Sequence, residues 1–195
     1  MDSAGKRCHV DLAAYLFSIL GAPPLLAIPI AFLVGLRAGG YPRMATTVAE
    51  LVVWVSVLPS LATFALYRAG RTSTLELRER TDRLVPSSVA AGCCAAAVMQ
   101  MELSHAPPAV SRLTLGIGLQ LALLLVLTFH WKVSYHAAIA ASLVVVGHTL
   151  GDPALTIGVL VLAACVCWAR IYRRRHTLAQ VVAGVLTMAP VALLS

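Results

Sequence analysis

Apolar residues in this chain gather in long uninterrupted stretches, and the polar residues are confined to the short connections between them. About 20 apolar residues in helical rise cross the hydrocarbon core of a bilayer, and on that scale the pattern predicts seven helices. The first, Leu12 to Leu36, follows the polar start MDSAGKRCHVD and is too long for a signal-peptide core, so it reads as a retained helix. Pro23, Pro24 and Pro29 predict a kink in it. After the turn RAGGYPR a second helix runs from Val48 to Tyr67, with Glu50 near its end, and RAGRTSTLELRERTDR follows as the longest polar stretch. The third, Val85 to Leu103, opens on Pro86 and is rich in Ala, Gly and Cys, which lets other helices approach closely. His105-Ala-Pro-Pro separates it from the Leu-rich fourth, Ala109 to Phe129. The fifth is Ser134 to Leu150, the sixth Ala154 to Trp168 and the seventh Leu178 to Leu194. Asp152 before Pro153 has the form of an N-cap with proline at the first helical position. Nothing repeats and nothing alternates with period two as a barrel strand does. The expected fold is an all-α, polytopic transmembrane bundle of six to seven spans, with residues 1–195 forming one integral membrane domain.

Composition agrees with the pattern. Hydrophobic residues make up 59% of the 195 and charged residues 12%, against about 45–50% and 25% in soluble domains. Soluble enzyme folds are thereby excluded, and the spans leave no room for a separate soluble domain. The formal charge of +7 points to anionic headgroups or a phosphorylated substrate. Nucleic acid is not an expected partner, because few basic residues lie outside the short loops. Cys8, Cys93, Cys94, Cys165 and Cys167 are odd in number and lack CxxC spacing, so they read as small buried thiols and not as a disulfide framework or zinc site.

Seven crossings put the N-terminus and the segments 68–83, 130–134 and 169–177 on one side. That side carries Lys6, Arg7, Arg68, Arg71, Arg78, Arg80, Arg83, Lys132, Arg170, Arg173, Arg174 and Arg175, and the other carries Arg37, Arg43 and Arg112. The positive-inside rule assigns the first side to the cytoplasm, and setting aside Arg83, Lys132 and Arg170 as site residues keeps the sign.

The three polar connections on the basic side are ERTDRLVP (79–86), HWKVSYHAA (130–138) and WARIYRRRHTLAQ (168–180). They bring Arg80, Arg83, Lys132, Ser134, His136, Arg170, His176 and Gln180 to one membrane face, with few carboxylates beside them. Guanidinium groups bind phosphoryl oxygens bidentately and stabilise charge that grows in a transition state. Of two histidines beside a phosphate, one can attack phosphorus while the other protonates the leaving oxygen. His176 and Gln180 are four apart on one helix face, so the amide can hydrogen-bond a ring nitrogen and fix the tautomer. The plain alternative is that basic residues flanking short spans are topology signals and lipid-headgroup contacts.

The order and spacing of these residues resemble the type 2 phosphatidic acid phosphatase superfamily, whose pattern is KxxxxxxRP, then PSGH, then SRxxxxxHxxxD. In the third motif ARIYRRRHTLAQ keeps the arginine and histidine at family spacing, with Ala169 for serine and Gln180 for aspartate. Val133-Ser134-Tyr135-His136 keeps the serine and histidine of the second but not its proline and glycine. Arg83 and Pro86 stand for the first, separated by two residues and without its lysine. The resemblance covers roughly residues 75–194, as a divergent branch; two N-terminal helices in 1–70 lie outside it.

The resemblance implies a hydrolase for a lipid phosphomonoester or diphosphate that needs neither metal nor other cofactor. By motif position His176 is then the nucleophile forming a phosphohistidine, His136 the general acid, and Arg83 and Arg170 the phosphate clamps, with Ser134 a further donor. Lys132 and Arg80 join the phosphate-binding set by proximity in sequence. Gln180 can orient His176 but cannot stabilise its positive charge as a carboxylate does. The expected substrate is an isoprenyl or glycerolipid phosphate or diphosphate, the expected location a bacterial inner (plasma) membrane with the site on the cytoplasmic face, and no oligomeric state is implied.

Two readings from other classes stand beside it. A prenyl diphosphate transferase or lyase holds its substrate through metal ions and needs clustered carboxylates; the nearest pair here is Glu79 and Asp82. A non-catalytic membrane subunit or transporter accounts for the basic side, but a transport pathway usually carries intramembrane charge, and Glu50 and Glu102 lie near span ends. His148 is twelve residues beyond His136, about 18 Å along a helix, and belongs to the opposite membrane face. The orientation is open to direct test. In a background without the five native cysteines, Thr177→Cys is expected to resist a membrane-impermeant thiol reagent in intact cells and to react after permeabilisation. Labelling of intact cells inverts the topology.

Overall fold

The computed structural model describes residues 3–77 and 79–195, with side chains from Cys8 onward. Of the basic residues counted above, Arg78 and the side chains of Lys6 and Arg7 lie outside the described residues. Every regular element among the described residues is helical, as the solvent requires: in a bilayer core each backbone N–H and C=O must find its partner within the protein. The elements are α1 (Ser3–Leu20), α2 (Pro23–Gly35), α3 (Tyr41–Val52), a π-helical segment (Val53–Val57) and α4 (Leu58–Arg68). A 3-10 turn (Thr81–Arg83) leads into α5 (Leu84–Leu103), followed by α6 (Pro108–His130), α7 (Tyr135–His148), α8 (Pro153–Tyr172), α9 (Leu178–Leu186) and α10 (Ala189–Leu194).

Tyr41–Arg68, Thr81–Leu103, Pro108–His130 and Pro153–Tyr172 are each long and apolar enough to cross a membrane. The pair Cys8–Leu20 and Pro23–Gly35 adds a fifth if its two arms are one span, while Tyr135–His148 and Leu178–Leu194 are shorter apolar helices. Large apolar side chains such as Leu61, Phe64, Ile157, Leu160 and Val161 lie exposed on the outside of the bundle, a surface suited to lipid and not to water. The protein is an all-α integral membrane protein.

Proline explains where the helices depart from the simple apolar runs. The first run is two helices bent by 57°. The break falls at Gly21 and Ala22, because a residue before proline is pushed out of the helical region, and Ala22 is extended with ψ 135° ahead of Pro23. Pro29, by contrast, sits inside α2. Pro59 has no N–H for the Val55 carbonyl four residues back, and the chain passes that point in the π-helical register of Val53–Val57. Ser56 in that segment donates to the Pro24 carbonyl at 2.8 Å and ties it to the start of α2. The sixth run extends to Tyr172, further than its apolar pattern indicates. The seventh divides around Thr187 and Met188, just before Pro190.

The core lies among α2, α5, α6, α7 and α8. Small residues set its spacing: a Cβ on Gly116 would lie 2.9 Å from Val191 Cα, so α6 and α10 meet backbone to backbone. Gln120 at its centre is fully buried, donates to the Ala138 carbonyl at 3.0 Å and accepts from Ser142 Oγ at 2.5 Å, which pins α6 to α7. Asp152 caps α8 through its side chain, accepting from Ala154 N and Leu155 N, as the sequence indicates.

A Cβ on Gly184 would lie 2.5 Å from the Ser134 carbonyl oxygen, which is backbone and cannot swing aside. Gly184→Ala should therefore push α9 away from the start of α7 and cost about 1–3 kcal/mol, the usual range for overpacking. A lowered thermal midpoint in detergent checks this; an unchanged midpoint means that α9 packs more loosely than described.

Candidate functional site

Five connections or helix ends meet at one end of the bundle. Arg83, at the end of the 3-10 turn, donates from Nε to the Leu77 carbonyl at 2.8 Å and from Nη1 to the Val133 carbonyl at 2.9 Å, joining the segment before α5 to the turn before α7. Ser134 N donates to the Gln180 carbonyl at 3.2 Å, joining that turn to α9. Arg175 pairs with Glu76 at 3.1 Å. The starts of α5, α7 and α9 and the ends of α6 and α8 thus lie together, and the three helix starts bring their positive dipole ends to one region.

Within this region Arg83 and Arg170 are 6% and 5% exposed, and neither is ion-paired to a described carboxylate. Arg170 donates from Nη1 to Ser18 Oγ at 2.6 Å, while its Nε is buried without any partner among the described residues. Two buried cations held only by neutral oxygens carry a large desolvation cost. An anion is the partner this arrangement lacks.

His176 is buried beside them, in the turn between α8 and α9. Its Nδ1 lies 3.1 Å from Gln180 Oε1, the bond anticipated from their spacing. The same Oε1 accepts from Thr177 N at 3.2 Å while Thr177 Oγ1 accepts from Gln180 N, a reciprocal capping box at the start of α9. Because the Thr177 N–H can only donate, the amide must present its oxygen there. Nδ1 of His176 then carries the proton, and Nε2 is left with a free lone pair. Burial first, then the charges of Arg83 and Arg170, push the His176 pKa from 6.5 down to about 3, with Gln180 opposing the shift. The imidazole is neutral at neutral pH. Lys132, half-buried in the turn before α7, is lowered too, by burial and then by Arg83.

The remaining residues are placed as follows. His136, in the first turn of α7, lies within electrostatic reach of Arg83, Arg170 and His176, with its ring close to the Ser18 backbone. Ser134 is fully buried, and its hydroxyl caps α7 by accepting from Ala137 N. Arg80 is engaged elsewhere, since its Nη1 donates to the Thr128 and Phe129 carbonyls at the end of α6 and its guanidinium thereby caps that helix. His148 is the last residue of α7, at the far end.

A cavity of about 450 Å³ opens beside the cations. Arg83, His136, Arg170 and Glu76 line its polar end, and Ala27, Ile30, Val55, Pro59, Ile117 and Leu121 line the rest, between the α1–α2 bend, α4, α5 and α7. A largely apolar pocket with a few charged lining residues suits a molecule with an anionic head and a hydrocarbon tail. Among the described residues no group of three or more His, Cys, Asp or Glu side chains converges. Asp82 accepts from Ser73 N and Oγ at 2.9 and 2.6 Å, which employs it in holding the preceding loop.

Sequence reasoning misses two residues here. Ser18 reaches the site from a helix outside the family-like region, and its only signal is a hydroxyl within an apolar run. Glu76 is one acid among several in the polar segment, and nothing in the pattern marks it. The chain matches no family model, no curated protein and no solved structure.

The His176 shift has a consequence for stability. Between about pH 3 and 6.5 the unfolded chain binds a proton that folded His176 does not. The stabilisation from keeping this ring neutral is complete above about pH 6.5 and is lost as the pH falls towards 3. The thermal midpoint of the wild type relative to His176→Asn is expected to fall as the pH goes from 7 to 5. A constant difference across that range would place the ring in water.

Proposed function

We propose that this chain is a divergent member of the type 2 phosphatidic acid phosphatase superfamily: a membrane lipid phosphatase acting on the phosphomonoester or diphosphate of an isoprenoid or glycerolipid through a phosphohistidine. The observation that carries the reading is the pair of buried guanidinium groups of Arg83 and Arg170, without an ion-paired carboxylate among the described residues, beside His176 and, with His136, lining an apolar cavity.

In this reading the phosphoryl group sits between the two arginines and its tail lies in the cavity. Nε2 of His176 attacks phosphorus, forming a P–N bond as the bond to the leaving oxygen breaks, and that oxygen takes its proton through His136, whose free ring nitrogen accepts it from the monoanionic substrate and passes it on. A water then attacks phosphorus, passing its proton to His136, and the P–N bond breaks to release phosphate. The arginines and the helix starts stabilise charge on the equatorial oxygens throughout. Lys132 adds positive potential from the turn before α7. Ser134 acts mainly as a cap that sets the direction of α7, and Arg80 supports the end of α6 in place of binding substrate.

The basic connections at this end support a site on the cytoplasmic face, by the positive-inside rule. A substrate made in the cytoplasm would reach it from the inner leaflet.

Phosphate release from a panel of prenyl and glycerolipid phosphates, in detergent with excess chelator, tests the reading. Wild-type turnover is expected to survive the chelator. His176→Ala is expected to lose at least about a thousandfold in kcat while still folding, as removal of a nucleophile does. Strict magnesium dependence favours the transferase or lyase class, and full activity of His176→Ala ends the phosphohistidine assignment.

A further inference from the structure

The N-terminal helix lies outside the family-like region, yet it enters the site. α1 runs antiparallel to the C-terminal half of α8: Gly21 packs on Val166, Ser18 meets Arg170, the Tyr15 ring lies 5.1 Å from the Arg173 guanidinium carbon, and Asp11 accepts from Tyr172. The approach is close, since a Cβ on Gly21 would stand 2.6 Å from Val166 Cγ1. Ala14 is fully buried and Ser18 is 4% exposed, so the face of α1 that carries the serine is the packed one.

Ser18 meets the site twice. Its hydroxyl oxygen accepts from Arg170 Nη1 at 2.6 Å, the only hydrogen bond the Arg170 guanidinium makes among the described residues. Its backbone lies close to the His136 ring, and the break after α1 explains why its carbonyl is open on that side. In an unbroken helix the Ala22 N–H would bond the Ser18 carbonyl, but with the chain turning ahead of Pro23 that N–H goes to Ile19 O, while Gly21 N goes to Phe17 O. The Ser18 carbonyl is thus one of the orphans of a helix end, within reach of the His136 imidazole. With one ring nitrogen of His136 turned to it, the other is the one available to the substrate.

We propose that Ser18 is a positioning residue for the phosphate site. Its hydroxyl fixes the Arg170 guanidinium in the plane that receives phosphoryl oxygens, and its carbonyl orients His136 towards the leaving group. The inference rests on the phosphatase reading and extends the site to the first helix. The proline-induced break frees the carbonyl, and the small residues Ala14 and Gly21 let α1 approach closely enough for the hydroxyl to reach. Without the hydroxyl, Nη1 and Nε of Arg170 both lack partners, and the guanidinium can rotate away from a productive geometry.

The experiment pairs binding with turnover. Titration of decyl phosphonate, which carries a tail and a headgroup that cannot be hydrolysed, into the detergent-solubilised full chain reports on Arg170 independently of chemistry. Ser18→Ala is expected to bind it roughly tenfold more weakly, the cost of one hydrogen bond to a charged group, and to lose at least as much in kcat while remaining folded. Ser18→Thr restores the hydroxyl and should return to within about threefold of wild type on the same scale. Arg170→Ala is the reference for the site and should bind more weakly than either. If Ser18→Ala binds and turns over like wild type while Arg170→Ala does not, the positioning role is overturned and the phosphatase reading stands. If Ser18→Thr is as impaired as Ser18→Ala, packing and not the hydroxyl is responsible, and the proposal fails. If Arg170→Ala binds the phosphonate as well as wild type, the site itself is misassigned and the proposal falls with it.

Discussion

Two guanidinium groups withdrawn from water without an ion-paired carboxylate among the described residues are the constraint around which this molecule is arranged. Arg83 and Arg170 cannot lose their protons at any ordinary pH, so their burial has to be offset by dipoles. The fold supplies them one at a time: the carbonyls of Leu77 and Val133 for Arg83, and the hydroxyl of Ser18 for Arg170. Each of these bonds joins separate segments of the chain, so the cations act as fasteners for the site end of the bundle. The dipoles do not cancel the charge, and the buried, unpartnered Nε of Arg170 marks where compensation stops. A phosphate would complete it. Charge that would be a defect in a purely structural core is reasonable where an anionic headgroup enters and leaves.

The same constraint explains how the bundle tolerates polar groups at this end and few elsewhere. At the far end Arg37 donates to the Thr149 carbonyl and closes α7, as Arg80 closes α6 at the site end. In the middle the polar groups are neutral and saturated, as with Gln120, Ser142 and the Ala138 carbonyl. Such a network fixes the register of α6 against α7 and hence the height at which Ser134 and His136 leave α7. Substitution of Gln120 would therefore act on the site through packing, without touching the chemistry.

Much of this was legible in the sequence, because the physics is local. Long apolar runs have to be helices in a membrane, Asp152-Pro153 has to start one, and the i, i+4 spacing of His176 and Gln180 already places the amide beside the ring. Proline effects were legible at Pro23 and Pro24, where the first run breaks at Gly21 and Ala22, but not at Pro29, which α2 accommodates, since the residue before a proline yields more readily than a turn already formed. Roles that depend on long-range packing were not legible. Arg80 and Arg83 look alike three residues apart, yet the short 3-10 turn sends one to the end of α6 and the other into the site. Ser18 becomes visible only once α1 is seen against α8.

On the phosphatase reading Gln180 stands where the family pattern has an acid, and the surrounding charge gives that difference a physical meaning. A carboxylate at this position would add an anion beside Arg83, Arg170 and Lys132, raise the basicity of His176, and compete with the phosphate for the same cations. The amide does none of these. It holds Nδ1–H and the start of α9 with one oxygen and leaves the full positive potential of the arginines for the substrate. The imidazole beside them stays neutral, with its Nε2 lone pair ready, and nothing has to remove a proton before attack. On that reading the corresponding cost would fall later, because a cationic phosphoimidazole here would stand among like charges, with its stabilisation coming through the phosphoryl oxygens. Such an intermediate would pass quickly to water, so that formation of the P–N bond, and not its hydrolysis, would be the slow chemical step, and alignment of Arg170 and His136 at that step would govern the rate.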